Sequence, residues 1–261
     1  MIRYALLGVV QGLTEFLPVS SSGHLVLTQR WLGLNPPGVL LEAFLHWGTL
    51  GAILWVFHHD VAAWGLAFTP RGSIERRKEI GFVVAGTVPI VIAGLLFRQR
   101  MDEVFASLPI VGGGLLLTAV VLFLTARLRS RALRREFQFV DAFLVGLAQA
   151  LALLPGVSRT GVTIGAGVGR RIAPEPAARF SFLLAIPALL GAGVLNLGEV
   201  VAHGGWEGEW AGILVGTTVA FLVGILAIRV LLALVMKARL WIFAFYCLGV
   251  GLSALIWAWS A

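Results

Sequence analysis

The sequence has one cysteine, Cys247, so it excludes an internal disulfide and a metal cluster of thiolates. Charged residues are also scarce, at 13% of the chain, whereas a soluble domain carries roughly a quarter. A cleavable signal peptide is not predicted, because Gln11 and Glu15 interrupt the first apolar stretch and no small-residue cleavage site follows. The scarcity of charged residues argues against a soluble protein.

Apolar residues are abundant, at 59% of the chain, and several runs approach the ~20 residues needed to cross a bilayer. The sequence therefore predicts an all-α polytopic membrane protein that forms a single integral membrane domain, residues 1–261. Six segments are predicted to span the membrane: 40–58, 80–97, 108–126, 177–197, 210–235 and 240–259.

Two further apolar stretches, 3–34 and 139–172, are each broken near the middle by Pro, Gly, Ser and a charge. Each is predicted to form two half-helices joined by a polar turn. Irregular backbone at membrane depth is tolerated only where it is buried in protein or lines a wet cavity. We therefore interpret both stretches as re-entrant hairpins, which enter and leave the membrane on the same side.

The net charge of +7 is explained by membrane orientation rather than by nucleic acid, because the basic residues cluster in short loops. If the hairpins do not cross, fifteen Lys and Arg fall on one side, and the other side receives only Arg3, Arg30, Arg98 and Arg100. The basic side is predicted to be cytoplasmic. Both termini are then predicted to lie outside.

This arrangement gives two halves of opposite orientation, 1–126 and 139–261, each a hairpin followed by three spans. A shift of 138 positions supports a duplication, because it aligns Gly8, Gln11, Leu13, Val19, Ser20 and Gly23 with Gly146, Gln149, Leu151, Val157, Ser158 and Gly161. Inverted repeats with broken helices place a polar site near the membrane midplane.

The first break, "QGLTEFLPVSSSGHL", combines an acid, hydroxyls and an imidazole. Gln11 and Glu15 are four residues apart, so they share one helix face. Pro18 ends the first half-helix. The following residues are good caps for the second half-helix, whose positive end favours an anion: Ser20, Ser21 and Ser22. His24 lies three residues after Ser21.

The second break, "ALLPGVSRTGVT", has the same organisation. Ser158 can cap its second half-helix, and Arg159 is the only basic residue deep within an apolar stretch. A buried guanidinium needs an anionic partner, and its planar fork suits phosphate oxygens. Thr160 and Thr163 add hydroxyl donors. The two breaks together predict an anion site, with phosphate as the best candidate.

Glu15 and Gln11 are suited to bind Mg²⁺ or Ca²⁺ through oxygen atoms. Ser21 or Ser20 is the candidate nucleophile, with His24 as acid or base. Structural alternatives remain open. The serines can be caps only, His24 can be structural, and Arg159 can form a buried salt bridge with Glu15. Glu42 and His46, one turn apart, either line the cavity or form a pair on the helix surface.

The two breaks resemble the signature regions of bacterial undecaprenyl-diphosphate phosphatases of the bacitracin-resistance type. The family's motif of Glu or Gln, three residues and Glu corresponds to Gln11 and Glu15. Its Ser-Ser-x-Gly-His segment corresponds to Ser20, Ser21, Gly23 and His24, and its Pro-Gly-x-Ser-Arg segment to Pro155, Gly156, Ser158 and Arg159. A serine often follows that Arg, and here Thr160 keeps the hydroxyl.

The resemblance implies an enzyme of the bacterial cytoplasmic (inner) membrane that converts undecaprenyl diphosphate into the lipid carrier of cell-wall synthesis, with a divalent cation and a site open to the outer side. It leads us to expect Ser21 as the nucleophile, Arg159 as the charge clamp, Glu15 with Gln11 at the cation and His24 in proton transfer. The other substrate-binding candidates are Ser20, Ser22, Gly23, Ser158, Thr160 and Thr163. Attack by activated water stays open.

The expected partners are a polyprenyl diphosphate lipid and membrane lipids, without nucleic acid, and a homodimer is left open. The alternative function is a transporter or flippase for an anionic isoprenoid lipid or solute, because inverted repeats around a midplane site are also a transporter design.

Overall fold

A computed structural model describes residues 1–33, 39–70, 72–203 and 210–260 of the chain. Within these ranges the backbone is helical, with no β-strand and one isolated bridge between Arg134 and Ile172. The α-helices are α1 (Ile2–Thr14), α2 (Ser21–Trp31), α3 (Val39–Val56), α4 (His58–Leu66), α5 (Ile74–Phe97), α6 (Met101–Ala106), α7 (Leu108–Leu128), α8 (Phe139–Ala150), α9 (Arg159–Gly169), α10 (Pro174–His203), α11 (Trp210–Met236) and α12 (Trp241–Ser260). The all-α prediction is confirmed.

Five helical segments are long and apolar enough to cross a membrane, and they match five of the six predicted spans: Ile74–Phe97, Leu108–Arg131, Pro174–Leu195, Trp210–Met236 and Trp241–Ser260. The chain is therefore a polytopic membrane protein. The remaining predicted span, 40–58, falls on α3, whose apolar part Leu41–Val56 is shorter than the others. The count of six spans stays a prediction.

Both broken stretches form two half-helices, as their sequences predict. In the first, α1 ends at Thr14 and α2 begins at Ser21. In the second, α8 ends at Ala150, a 3₁₀ turn follows, and α9 begins at Arg159. Whether each pair enters and leaves on one side of the membrane stays a prediction.

Local chemistry explains how both second half-helices begin. Ser20 caps α2 by accepting a hydrogen bond from the Gly23 amide at 3.3 Å, and Ser158 caps α9 by accepting one from the Gly161 amide at 3.1 Å. The turns before them need left-handed backbone, with φ of +71° at Ser20 and +90° at Gly156.

The two breaks are in contact. A Cβ atom added to Gly23 would lie 3.1 Å from the Cα atom of Gly156, so the tips meet at glycines. Thr118 of α7 fastens the second break, because its hydroxyl accepts from the Ser158 amide and donates to the Gly156 carbonyl, both at 2.9 Å. On the first break, Cys247 of α12 donates to the Pro18 carbonyl at 3.6 Å. The tips are thus held together by neighbouring helices.

The long helices pack closely around the half-helices. α1 lies against α11 and α8 lies against α5, with glycines at both contacts, such as Gly8 beside Gly216 and Gly146 beside Gly86. Small residues at helix contacts let backbones approach closely, which is how helices associate in lipid. Phe16, fully buried after α1, meets Phe182 of α10 edge-on at 6.0 Å and anchors the first break in the core.

A separate charged cluster joins α4, α5 and α10. Arg179 donates to Asp60 at 2.7 Å and to Glu79 at 2.6 Å, and Arg76 donates to the same two carboxylates at 3.0 and 2.9 Å. Burial alone would raise the pKa of Asp60, but the hydrogen bonds and charges of Arg179 and Arg76 outweigh it and lower that pKa. The cluster joins helices and uses none of the predicted site residues.

Candidate active site

Glu15 lies at the centre of the predicted site. It is the C-cap of α1 and is 7% exposed. One carboxylate oxygen, Oε1, accepts a hydrogen bond from Arg159 Nη2 at 2.7 Å. The other, Oε2, accepts from Ser21 Oγ at 2.6 Å and from Gln11 Nε2 at 3.1 Å. The fold thus brings together four of the predicted site residues, from two segments far apart in the chain.

Arg159 is the first residue of α9, and its side chain is 11% exposed. Its ion pair with Glu15 is the buried salt bridge that the sequence left open as an alternative. The pair occupies only part of the guanidinium, because Nη1 is buried and has no protein hydrogen-bond partner among the described residues. A buried donor without a partner costs about 1–3 kcal/mol or more for a charged group. A phosphate oxygen at Nη1 would recover that cost.

Ser21 is the first residue of α2, with its hydroxyl donating to Glu15. A hydroxyl bonded to a carboxylate is the arrangement of a nucleophile with its base. The sequence paired Ser21 with His24, whereas in the structure its hydrogen-bond partner is Glu15. Ser21 also stands at the N-terminus of α2, and Arg159 at that of α9. Both positive helix ends therefore face the site, which favours an anion there.

The other predicted substrate-binding residues build the two turns. Ser20, besides capping α2, has its Oγ 3.2 Å from Ser22 Oγ, and Gly23 provides the close contact with Gly156. Thr160 donates to the backbone carbonyl of Glu15 at 3.3 Å. Because these groups already hold the tips together, their direct contact with a substrate stays a prediction.

Thr163 and Ser158 support Arg159 from its own helix. The Thr163 hydroxyl donates to the Arg159 carbonyl at 2.8 Å and lies 2.6 Å from Ser181 Oγ of α10. Ser158, 1% exposed, is held by α7. Both residues are buried and fix the backbone from which the Arg159 side chain extends.

His24 points away from Ser21, toward α12. Its Nδ1 lies 2.8 Å from the Ser20 carbonyl and its Nε2 lies 2.8 Å from the Tyr246 hydroxyl. A carbonyl oxygen only accepts, so Nδ1 carries the proton, and Nε2 of the neutral ring accepts from Tyr246. The sequence analysis missed Tyr246, which no local pattern marks. The predicted role of His24 in proton transfer stays a prediction.

His46 of α3 is the imidazole that faces Glu15. Its Nε2 lies 4.0 Å from Glu15 Oε2, and its Nδ1 lies 2.8 Å from the Glu42 carbonyl. The sequence left Glu42 and His46 open between cavity lining and helix surface, and the structure places His46 at the site. Glu42 instead accepts from Gln29 of α2 at 3.0 Å, joining α2 to α3.

The side-chain oxygen atoms of Gln11 and Glu15 are of the kind that binds a hard divalent cation. Gln11 is fully buried, and its Oε1 has no protein hydrogen-bond partner in the described part of the chain. Mg²⁺ is commonly held by one or two carboxylates together with substrate phosphates. In the described ranges no cluster of three or more His, Cys, Asp or Glu forms a closed cage. The binding of such a cation by Gln11 and Glu15 stays a prediction.

Comparisons with known proteins give one family and several relatives over nearly the whole chain. The family described as bacitracin resistance protein BacA matches residues 4–253. A relative from Halothermothrix orenii named undecaprenyl-diphosphatase is 39% identical over 259 residues, covering 99% of this chain and 98% of the relative. A relative with the same name from Syntrophotalea carbinolica is 42% identical, and the alignment covers 93% of this chain and 93% of the relative. One from Korarchaeum cryptofilum is 40% identical, and the alignment covers 96% of both.

Proposed function

Because the chain belongs to the bacitracin resistance protein BacA family, we propose that it hydrolyses undecaprenyl diphosphate to undecaprenyl phosphate and inorganic phosphate. The product is the lipid carrier for cell-wall synthesis. The observation that carries the proposal is the contact of Ser21 and Arg159 with one carboxylate, Glu15. A transporter is not favoured, since transport needs a charge clamp but no hydroxyl paired with a base.

The site lies, in this proposal, within two re-entrant hairpins of an inverted repeat, with six spans around them. The helix contacts support the duplication. α1 of the first half packs on α11 of the second, and α8 of the second half packs on α5 of the first. α3 and α7 each pack against their counterparts, α10 and α12. All site residues come from one chain, so the proposal does not require a dimer.

The charge distribution supports the proposed location. The basic side faces the cytoplasm of a bacterial cell, and both termini and the opening of the site face outward from its cytoplasmic membrane. The isoprenoid tail stays in the lipid while the diphosphate enters between the tips. There the N-termini of α2 and α9 and the free Nη1 of Arg159 bind phosphate oxygens.

Ser21 performs the chemical step as nucleophile. Its Oγ attacks the terminal phosphorus, and its proton passes to Glu15 Oε2, to which it is already hydrogen-bonded. The bond from that phosphorus to the bridging oxygen breaks, and undecaprenyl phosphate leaves with the electron pair. Water then attacks the phosphoserine, the Oγ–P bond breaks, and Glu15 returns its proton to Ser21 Oγ. This restores the Ser21 hydroxyl and releases inorganic phosphate, which keeps the protons of the water.

Arg159, together with a cation bound by its ligands, stabilises the negative charge on the phosphate in this step. Arg159 donates to the terminal phosphate and keeps Glu15 oriented through Nη2. A Mg²⁺ or Ca²⁺ held by Glu15 and Gln11 would neutralise phosphate oxygens. His24, whose ring is hydrogen-bonded to Tyr246, remains the proposed proton-transfer group.

Release of phosphate from a polyprenyl diphosphate by purified protein, with and without EDTA, tests the function. We expect release that EDTA stops and divalent cation restores. Ser21→Ala should abolish it, whereas Ser253→Ala should not, because Ser253 is exposed on α12 and bonds only its own helix. Release that survives Ser21→Ala but not Glu15→Ala would favour activated water. No release by the wild type with any cation would refute the phosphatase.

A further inference from the structure

Three atoms that can bind metals belong to neighbouring side chains of the site. They are the buried Gln11 Oε1, which has no protein partner among the described residues, Glu15 Oε2 and His46 Nε2. Gln11 and Glu15 lie one helical turn apart, and Gln11 Nε2 donates to Glu15 Oε2 at 3.1 Å. His46 belongs to α3, and its Nε2 lies near the same oxygen. The three side chains therefore come from two separate helical segments.

The hydrogen bond at the far side of the His46 ring sets its tautomer. Nδ1 lies 2.8 Å from the Glu42 carbonyl, which only accepts, so Nδ1 carries the proton. Nε2 is then the ring nitrogen available to bind a metal. Metal-binding histidines usually donate their other nitrogen in this way, which orients the ring and raises its basicity.

His46 Nε2 lies 4.0 Å from Glu15 Oε2. This separation is too long for a direct hydrogen bond. A cation bound near both atoms would stabilise this arrangement. Ligand atoms lie about 2.0–2.6 Å from ions such as Zn²⁺, Mg²⁺ and Ca²⁺, so one ion can contact both atoms.

The position of His46 is fixed by packing before any ligand binds. α3 lies against α11, where Gly48 meets Thr217 and Ala220. The Glu42 side chain is held by Gln29, which is 3% exposed. The side chain of His46 is 21% exposed, so an ion and its water molecules can reach it.

We propose that His46 is a nitrogen ligand of the catalytic cation, together with Glu15 and Gln11, and that the site therefore prefers Mn²⁺ or another first-row transition ion to Ca²⁺. The inference rests on the proposed function, which supplies the need for a cation. Imidazole suits transition ions, whereas Ca²⁺ takes oxygen ligands only. Glu15 is the only carboxylate among these ligands.

Mn²⁺ bound to the purified protein tests the ligand set without turnover. Pulsed electron paramagnetic resonance should show coupling of Mn²⁺ to the ¹⁴N of an imidazole, and this coupling should change to that of ¹⁵N in protein labelled at histidine. In His46→Asn the coupling should disappear, and the affinity for Mn²⁺ should fall at least about tenfold. Asn can keep the hydrogen bond to the Glu42 carbonyl, so it removes the ligand with little change in packing.

His24→Asn is the matched control, because it removes the other imidazole of the tips, which bonds Tyr246 and Ser20. It should keep the ¹⁴N coupling. Absence of coupling in the wild type would overturn the proposal without any variant, and so would coupling that persists in His46→Asn. Ca²⁺ displacing Mn²⁺ at equal concentration would overturn the preference. Phosphate release by the wild type is a separate measurement, so failure here leaves the phosphatase standing.

Discussion

Arg159→Lys separates the two roles of the guanidinium. Nη2 binds Glu15 at 2.7 Å, and Nη1 is buried without a protein partner in the part of the chain that the structure describes. Lysine has one nitrogen on a flexible stem, so it can keep the ion pair or bind the phosphate, but it lacks the planar fork that does both. The variant therefore keeps the charge and loses one oriented donor.

The expected loss follows from that missing donor. Removing one preorganised donor to developing negative charge costs about 100- to 1000-fold in turnover, or about 2.7–4 kcal/mol. Folding should change little, because the lysine charge stays beside Glu15. It thereby avoids most of the about 3–5 kcal/mol that a buried carboxylate without its partner costs. Arg159→Ala should lose turnover too and be less stable.

The assay is steady-state phosphate release at saturating polyprenyl diphosphate, with thermal unfolding in the same detergent. Arg179→Lys is the matched control, because the two terminal nitrogens of Arg179 also donate to carboxylates, those of Asp60 and Glu79. None of these three residues belongs to the candidate site. It should lose stability and keep the turnover of folded protein. Turnover of Arg159→Lys within about threefold of wild type would show that one nitrogen suffices and refute the role of the fork.

Two further predictions concern the support of the site and its behaviour in acid. Thr118→Val removes the hydroxyl that bonds Ser158 and Gly156, leaving a buried amide unpaired; we expect about 1–3 kcal/mol lower stability and weaker turnover, and unchanged thermal unfolding would contradict this. The pKa of Asp60 lies below its ordinary 3.8, so its ion pairs stabilise the fold above that pH and lose this contribution as pH falls below it. The unfolding temperature, measured between about pH 5 and pH 3, should fall more steeply in the wild type than in Asp60→Asn. Equal slopes would show that Asp60 does not contribute to the acid dependence of stability.

Much of the architecture follows from local sequence. Apolar length predicted six spans, and five of them match helices that are long and apolar enough to cross a membrane. A lipid-facing segment is helical because its backbone must satisfy its own hydrogen bonds. Ser20 and Ser158 were recognisable as caps because a side-chain oxygen that follows a helix break reaches the amide three residues later. The sequence also predicted that Gln11 and Glu15 share a helix face, because they are four residues apart. The hydrogen bond between their side chains confirms this.

The partners of the site residues required the tertiary structure. Ser21 is three residues from His24 in sequence, yet it bonds Glu15, while His24 turns to Tyr246 of α12. No local pattern reports which face of a distant helix packs against a turn.

The sequence by itself determined the helices, their breaks and the kinds of side chain at those breaks, because propensity, capping and hydropathy act over a few residues. Only the tertiary structure decided that Arg159 bonds Glu15, and that His46 of a third helix faces the same carboxylate. The physical reason is that these contacts depend on how closely the helices approach at Gly23, Gly156 and Gly48, which is a property of packing.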